Sequence, residues 1–274
     1  MMRVGWGMDS DPHPPAQLTF EGDLQDLVRR SGPGPVAFDA TRRASVKDVL
    51  ESLGVPHTEV YVLSVDGRAV DFGHLLEPGQ EVSVGPASPP VDVTAPTLLR
   101  PHVLPELRFA VDENVAKLAA LLRTLGFDAA YDRRFGDGRI ARLAAEEGRV
   151  VLSRDRALLK RGEIVWGRLV RAAQPLDQLL EVLDLFGVRR APAAFGRCLR
   201  CNVVLTPVDK RDILHRLEPK TRLYYHAFRL CPSCGRIFWQ GSHHEHMRRV
   251  LSEAGVILPR SEEHTSELQS RFGI

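Results

Sequence analysis

Two Cys-x-x-Cys pairs, CLRC at residues 198–201 and CPSC at residues 231–234, hold all four cysteines of this 274-residue chain. Each pair can form a tight knuckle, and two knuckles supply the four thiolates that tetrahedral Zn²⁺ requires. A segment that must fold residues 202–230 back on themselves to close such a site is expected to be a small zinc ribbon held by Cys198, Cys201, Cys231 and Cys234. A redox dithiol is the other use of such pairs, and a metal takes precedence over disulfides in a reducing compartment. Four thiolates leave no open position, so the site is expected to hold the fold and not to catalyse.

The rest of the chain bounds the problem from outside. The start, MMRVGWGMDSDPHPP, has no apolar run of signal-peptide length, and no stretch approaches the roughly 20 apolar residues that span a bilayer. The expectation is a cytoplasmic protein without a membrane partner. With 43% hydrophobic residues the chain can build the cores of more than one domain. Its net charge of +2 conceals an asymmetry: residues 1–97 carry 7 Lys/Arg against 14 Asp/Glu, and the remainder 30 against 21. The basic part suits a phosphate-bearing partner, and dispersed surface charge is the other explanation.

Six prolines in PASPPVDVTAPTLLRPHVLP, residues 86–105, mark an extended linker between two modules, placed at 87–105. Before it, strand-like LTFEGDL and PVAFDA precede the amphipathic SVKDVLESLGV, and EVYVLSVDGRAV and EVSVGP follow. Ser45 reads as a helix N-cap with Asp48 three positions on, and Gly54 as the terminator. After the linker, LRFAV is a short strand ended by Asp112, and Val115, Leu118, Ala119, Leu122 and Leu125 recur at helical spacing up to Gly126. Strand DAAYD, helix DGRIARLAAEEG and strand RVVLS follow, so strands alternate with helices as in a parallel sheet.

Parallel sheets gather reactive groups outside the carboxyl ends of their strands. Asp112 and Asp155 stand there, and Asp137 opens the helix feeding the third strand. Three convergent carboxylates repel one another unless a hard divalent ion such as Mg²⁺ or Mn²⁺ joins them, and such an ion can activate water for phosphodiester cleavage. Each acid also precedes a helix, so N-capping explains each position without metal. In the ribbon, RIFWQGSHHEHMRR mixes Phe238, Trp239 and histidines with arginines, a composition suited to stacking on unpaired bases or to packing the ribbon's own core.

The first module resembles the ubiquitin-like β-grasp fold of small sulfur carriers in SVKDVLESLG, VDGRAV and LEPGQEVSV, over residues 17–86. Those carriers act through a C-terminal Gly-Gly tail, whereas this strand runs on into GPASPP, so carrier chemistry is not expected and docking of a protein partner is the role left. The run FAVDENVAKLAALLRTLGFDAAYD, then GDGRIARLAAEEGRVVLSRDRALL, CLRCN and CPSCGRIFWQGSH resembles the Mut-seven C-terminal RNase family, over residues 107–247. The resemblance implies a PIN-like α/β nuclease domain, placed at 106–190, with an appended zinc ribbon at 197–250. It further implies an RNA substrate, structural Zn²⁺, and Mg²⁺ or Mn²⁺ on the catalytic acids Asp112, Asp137 and Asp155, with Asp132 a weak fourth candidate. Arg154 and Arg156 would hold a phosphate or orient the acids, and Trp239 and His243, the latter in the family's GSH stretch, would meet RNA. A metal-dependent ribonuclease is the expectation; a non-catalytic RNA-binding or scaffold protein on the same fold is the competitor. RSEEHTSELQS, residues 260–270, matches the translation of a common sequencing-library adapter, so residues 260–274 are set aside as an artefact.

Overall fold

The computed structural model of the chain describes residues 13–29 and 34–259; the adapter-like segment lies outside them. The first module is a mixed sheet of β1 (Ala16–Phe20), β2 (Val36–Phe38), β3 (Val62–Val65), β4 (Arg68–Ala69) and β5 (Glu81–Gly85), in the order β2-β1-β5-β3-β4. β1 runs parallel to β5 and every other pairing is antiparallel, which is the β-grasp arrangement expected. Alternate residues Ala16, Leu18 and Phe20 on β1 and Val82 and Val84 on β5 are buried, and they share a core with Val46, Val49 and Leu50 of helix α1 (Val46–Ser52). Ser45 caps that helix by accepting from the Asp48 amide at 3.2 Å while its hydroxyl donates to the Asp48 carboxylate at 2.7 Å. Gly54 then turns the chain at φ +104°, where a Cβ would stand 2.8 Å from the Leu27 carbonyl oxygen.

The second module is an all-parallel sheet of β6 (Phe109–Val111), β7 (Ala129–Ala130), β8 (Val150–Ser153) and β9 (Gly167–Leu169), in the order β7-β6-β8-β9. Both faces of its central strands are buried, as a parallel sheet between helices requires. Phe109, Val111, Val150 and Leu152 pack with Leu118 and Leu122 of α2 (Ala116–Leu125) and with Leu179 and Val182 of α5 (Pro175–Leu185). Their neighbours Ala110 and Val151 belong to a different core, with Ile140 and Ala144 of α3 (Asp137–Glu147) and Leu158 of α4 (Arg156–Leu159). That second core is continuous with the interior of the β-grasp sheet.

The acidic and basic parts of the chain therefore meet within one packed body. Glu59, 2% exposed, accepts from the Leu169 amide at 2.7 Å on the outer edge of β9 and pairs with Arg168 and Arg171, each at 3.1 Å. Burial pushes its carboxyl above the ordinary range against the pull of both arginines. His57 Nε2 lies 2.8 Å from the Ile164 carbonyl, and Lys160 and Arg156 donate to the carbonyls of Glu51 and Leu27. Residues 86–105 contain no helix or strand, in keeping with an extended connection, yet they are pinned down. Val93 and Leu104 are buried, and the Arg100 guanidinium, 1% exposed, donates to the carbonyls of Val60 and Thr58 and lies 3.9 Å from the Tyr61 ring centre. Glu59→Gln, which takes one countercharge from Arg168 and Arg171 but leaves them Glu181 and Asp23, should lower the unfolding free energy of the full chain by about 1–3 kcal/mol. A urea melt followed by tryptophan fluorescence reads this; an unchanged midpoint would show the ionic clamp to be dispensable.

The third module is the antiparallel sheet β10 (Thr206–Val208), β11 (Phe228–Leu230) and β12 (Ile237–Trp239). The two short helices α6 (Lys210–Ile213) and α7 (Pro219–Tyr224) lie between β10 and β11, which accounts for the long separation of the cysteine pairs. One small core gathers the cysteines with Leu205 and Phe238, and a second gathers Ile213, Leu217 and Phe228 with Val208, Tyr225 and Ile237. The module docks on β7: Asn202 accepts from the Ala129 amide and donates to Asp128, Arg197 donates to the Gly126 carbonyl, and Arg123 reaches the Leu199 carbonyl. Burial works to raise the Asp128 carboxyl, but hydrogen bonds from Arg149 and Asn202 outweigh it and hold it below its ordinary value. The last helix, α8 (Ser242–Glu253), returns Leu251, and after it Val256, to the core beneath α2 and α5. No described helix is long and apolar enough to cross a membrane.

Candidate active site

The carboxyl end of β6 delivers Asp112 and the carboxyl end of the adjacent β8 delivers Ser153 and Asp155. Asp112 N-caps the 3-10 turn Glu113–Val115, its Oδ1 accepting from the Glu113 amide at 2.7 Å. Its Oδ2 accepts from the Ser153 hydroxyl and from Asn114 Nδ2, both at 2.6 Å. Ser153 is fully buried and its oxygen also accepts from the Asp155 amide at 2.8 Å, so one hydroxyl ties the two acidic strand ends together. Asp155 in turn caps α4, accepting from the Ala157 amide at 2.7 Å. Capping is thus realised at both acids, and each keeps further lone pairs for another partner.

Asp137 stands apart from this pair in its bonding. It is exposed, at the first position of α3, and Gly136 fills the cap position. Its negative charge suits the electropositive helix start without any ligand. Asp132, the weak candidate, is taken up by Arg134, which donates to it from its amide, Nε and Nη2 and holds its carboxyl well below the ordinary range. Among the described residues the cysteines form the only group of three or more potential metal ligands whose atoms all lie within 4.8 Å of one another. The three aspartates as placed do not form a preassembled three-carboxylate shell for one ion.

The two arginines that flank Asp155 diverge. Arg154 is exposed, with its amide held by Asn114 Oδ1 and its guanidinium donating to the Ala172 carbonyl at 3.0 Å. Arg156 is half-buried and committed to Leu27 of the β-grasp module. Sequence reasoning passed over Asn114 and Ser153, the two neutral groups that orient the acids, and over Glu113, whose carboxylate accepts from the Tyr131 hydroxyl at 2.6 Å. Their signal was position alone, since each is adjacent to an acid or ends a strand.

In the cysteine cluster, Cys198 and Cys231 are fully buried and Cys201 and Cys234 half-exposed. The two knuckles are built alike: Asn202 donates from its amide to the Cys198 carbonyl and Gly235 to the Cys231 carbonyl, each at 2.9 Å. Both residues take the left-handed conformation, φ +64° and +67°, which Asn and Gly adopt most readily. The Arg236 amide lowers the Cys234 thiol to about 7, whereas burial pushes Cys198 up to about 11. Trp239 is 40% exposed at the edge of the small sheet beside Tyr225 and Phe228, so neither the packed nor the free extreme describes it. His243 is exposed on α8, and His244 lies against the Phe195 ring.

Comparison with known proteins bears on the same segments. A family model described as the Mut7-C RNAse domain matches residues 107–251, more than half of the chain, and one described as Mut7-C ubiquitin matches residues 13–92. No curated protein and no solved structure matches. A parallel sheet with flanking helices, a small antiparallel sheet carrying four clustered cysteines and a β-grasp module in front coincide with the spans of these two models, and the chain belongs to the Mut7-C RNase domain family, preceded by a Mut7-C ubiquitin domain.

Proposed function

We propose that the chain is a metal-dependent ribonuclease that cuts RNA phosphodiester bonds at the carboxyl edge of the parallel sheet. The observation that carries this reading is membership of the Mut7-C RNase family across residues 107–251. The placement of Asp112 and Asp155 at neighbouring strand ends supports it. The family resemblance implies Mg²⁺ or Mn²⁺, which would supply an activated water and neutralise developing charge. Asp112 and Asp155 are the carboxylates that would hold the ion or accept a proton from the attacking water, Ser153 and Asn114 fix their orientation, and Arg154 offers an exposed guanidinium for a phosphate oxygen. Asp137 is the third acid of the set. Four thiols within 4.8 Å fit structural Zn²⁺, which would tie the two knuckles together.

A specific observation favours the second reading, an RNA-binding or scaffold protein without cleavage: Asp112 and Asp155 are each engaged as helix caps and the three acids are not gathered. Incubating the purified full chain with single-stranded and structured RNAs, with Mg²⁺ or Mn²⁺ and without added divalent ion, decides between them. Cleavage that requires the ion establishes the nuclease; retained RNA binding with no cleavage under any condition establishes the alternative. The β-grasp module, docked as it is through Glu59, His57 and α1, leaves the outer edges β2 and β4 as the sides open to a protein partner.

A further inference from the structure

We infer that the helical insertion between the two cysteine knuckles, together with the end of β12, is a stacking platform for unpaired RNA bases. The inference rests on RNA being the substrate class proposed above. Closing a four-cysteine site does not require α6 and α7, and they build a second small core of Ile213, Leu217 and Phe228 apart from the cysteines. Burying these three leaves large side chains outside: Tyr224 is 68% exposed, Leu223 66% and Trp239 40%. Tyr225, whose ring centre lies 6.4 Å from that of Trp239, joins the end of α7 to the edge strand. Exposed aromatic residues of this size forfeit burial on a lone protein, and a base has a π-face for each of them.

Charge selects the occupant. Residues 202–230 carry six Lys/Arg against three Asp/Glu. Lys220, Arg229 and Arg236 are exposed and make no ion pair among the described residues, and Arg229 lies on β11 directly opposite Phe238. An apolar partner surface would gain nothing from unpaired cations, whereas a phosphate backbone running past stacked bases would meet both features. Trp239 is held on β12 beside the Tyr225 and Phe228 rings, so little of its side-chain freedom is lost when a base arrives.

The test uses the full chain carrying Asp155→Asn, so that RNA survives the measurement, and fluorescence anisotropy with a labelled oligouridine single strand and a labelled RNA duplex. Tyr224→Ala and Trp239→Ala should each weaken binding of the single strand by about 10-fold and leave duplex binding unchanged, with Trp239→Phe restoring most of the loss. Lys220→Gln with Arg229→Gln should flatten the dependence of single-strand affinity on salt. Zinc content measured on every variant separates loss of the platform from loss of the ribbon, and Tyr224, the more exposed of the two rings, serves where Trp239→Ala fails to fold. Unchanged affinity in both alanine variants overturns the platform while leaving the RNA reading intact. A parent chain that binds neither RNA overturns both. If ultracentrifugation shows a dimer that Tyr224→Ala dissolves, with RNA affinity unaltered, the surface belongs to a second copy of the chain instead.

Discussion

Asp155→Asn and Asp112→Asn should each slow metal-dependent RNA cleavage by about 10²–10³-fold, the cost of removing a carboxylate that would take a proton from the attacking water or hold the divalent ion. Asparagine is the informative replacement because it ranks with aspartate as an N-cap. It can still accept from the Ala157 amide at position 155 and from the Glu113 amide at position 112, so α4 and the turn after β6 survive. At position 155 loss of the charge is then isolated from loss of the cap, whereas at position 112 the new amide group also faces the Ser153 hydroxyl and Asn114 Nδ2, two bonds that the thermal melt must account for. Asp137→Asn should fall in the same class if the exposed start of α3 completes the site. The readout is single-turnover cleavage of a labelled RNA in Mn²⁺, with thermal melts run alongside. Full activity in all three variants would exclude the carboxyl edge as the site of chemistry, and a lowered melting temperature without loss of cleavage would return Asp112 and Asp155 to capping alone.

The second large effect concerns the cysteines. One zinc should copurify per chain, and Cys198→Ser or Cys231→Ser should remove it. Structural zinc contributes about 10–16 kcal/mol in small sites, as much as or more than the about 5–15 kcal/mol that holds a whole domain. The ribbon's cores are too small to replace that, since one has three fully buried residues besides its half-buried neighbours and the other centres on the cysteines themselves. Hydrogen exchange should therefore show β10, β11 and β12 losing protection together, while β1 and β5 of the β-grasp sheet keep theirs. Metal analysis of freshly purified, reduced protein that finds no zinc would remove the claim.

What the sequence disclosed and what it hid divide along a physical line. Ser45, Asp112, Asp155 and Gly126 act on amides and carbonyls a few residues away, so their roles as caps and terminator could be read from neighbours alone. The two knuckles were equally local. Arg100 could not be read that way: in a proline-rich stretch it looks like solvent-facing linker, and only the fold brings Tyr61 and the Val60 carbonyl to it. Glu59 is one acid among many in the sequence, and its partners lie on β9, a strand that passed unread. The helix α5 was legible but missed, with Pro175 at its start and Leu179, Val182 and Leu183 recurring on one face. Within the candidate site the acids drew notice by charge, and Ser153, neutral and fully buried, carried no such mark although it links them.

The parallel sheet is closed by other modules at both sides: the Glu59 carboxylate meets the β9 amide of Leu169 and the Asn202 side chain meets the β7 amide of Ala129. This sets an order of events on the ribosome. The cover for β9 is synthesised before the strand it protects, whereas β7 emerges well ahead of Asn202. At about 5–20 residues per second the β7 edge stays open for several seconds of elongation, a template for pairing with neighbouring chains. Chains halted after residue 190 should pellet from a translation extract, while chains extended to residue 259 stay in the supernatant when zinc is supplied; equal recovery of both would mean the edge protects itself.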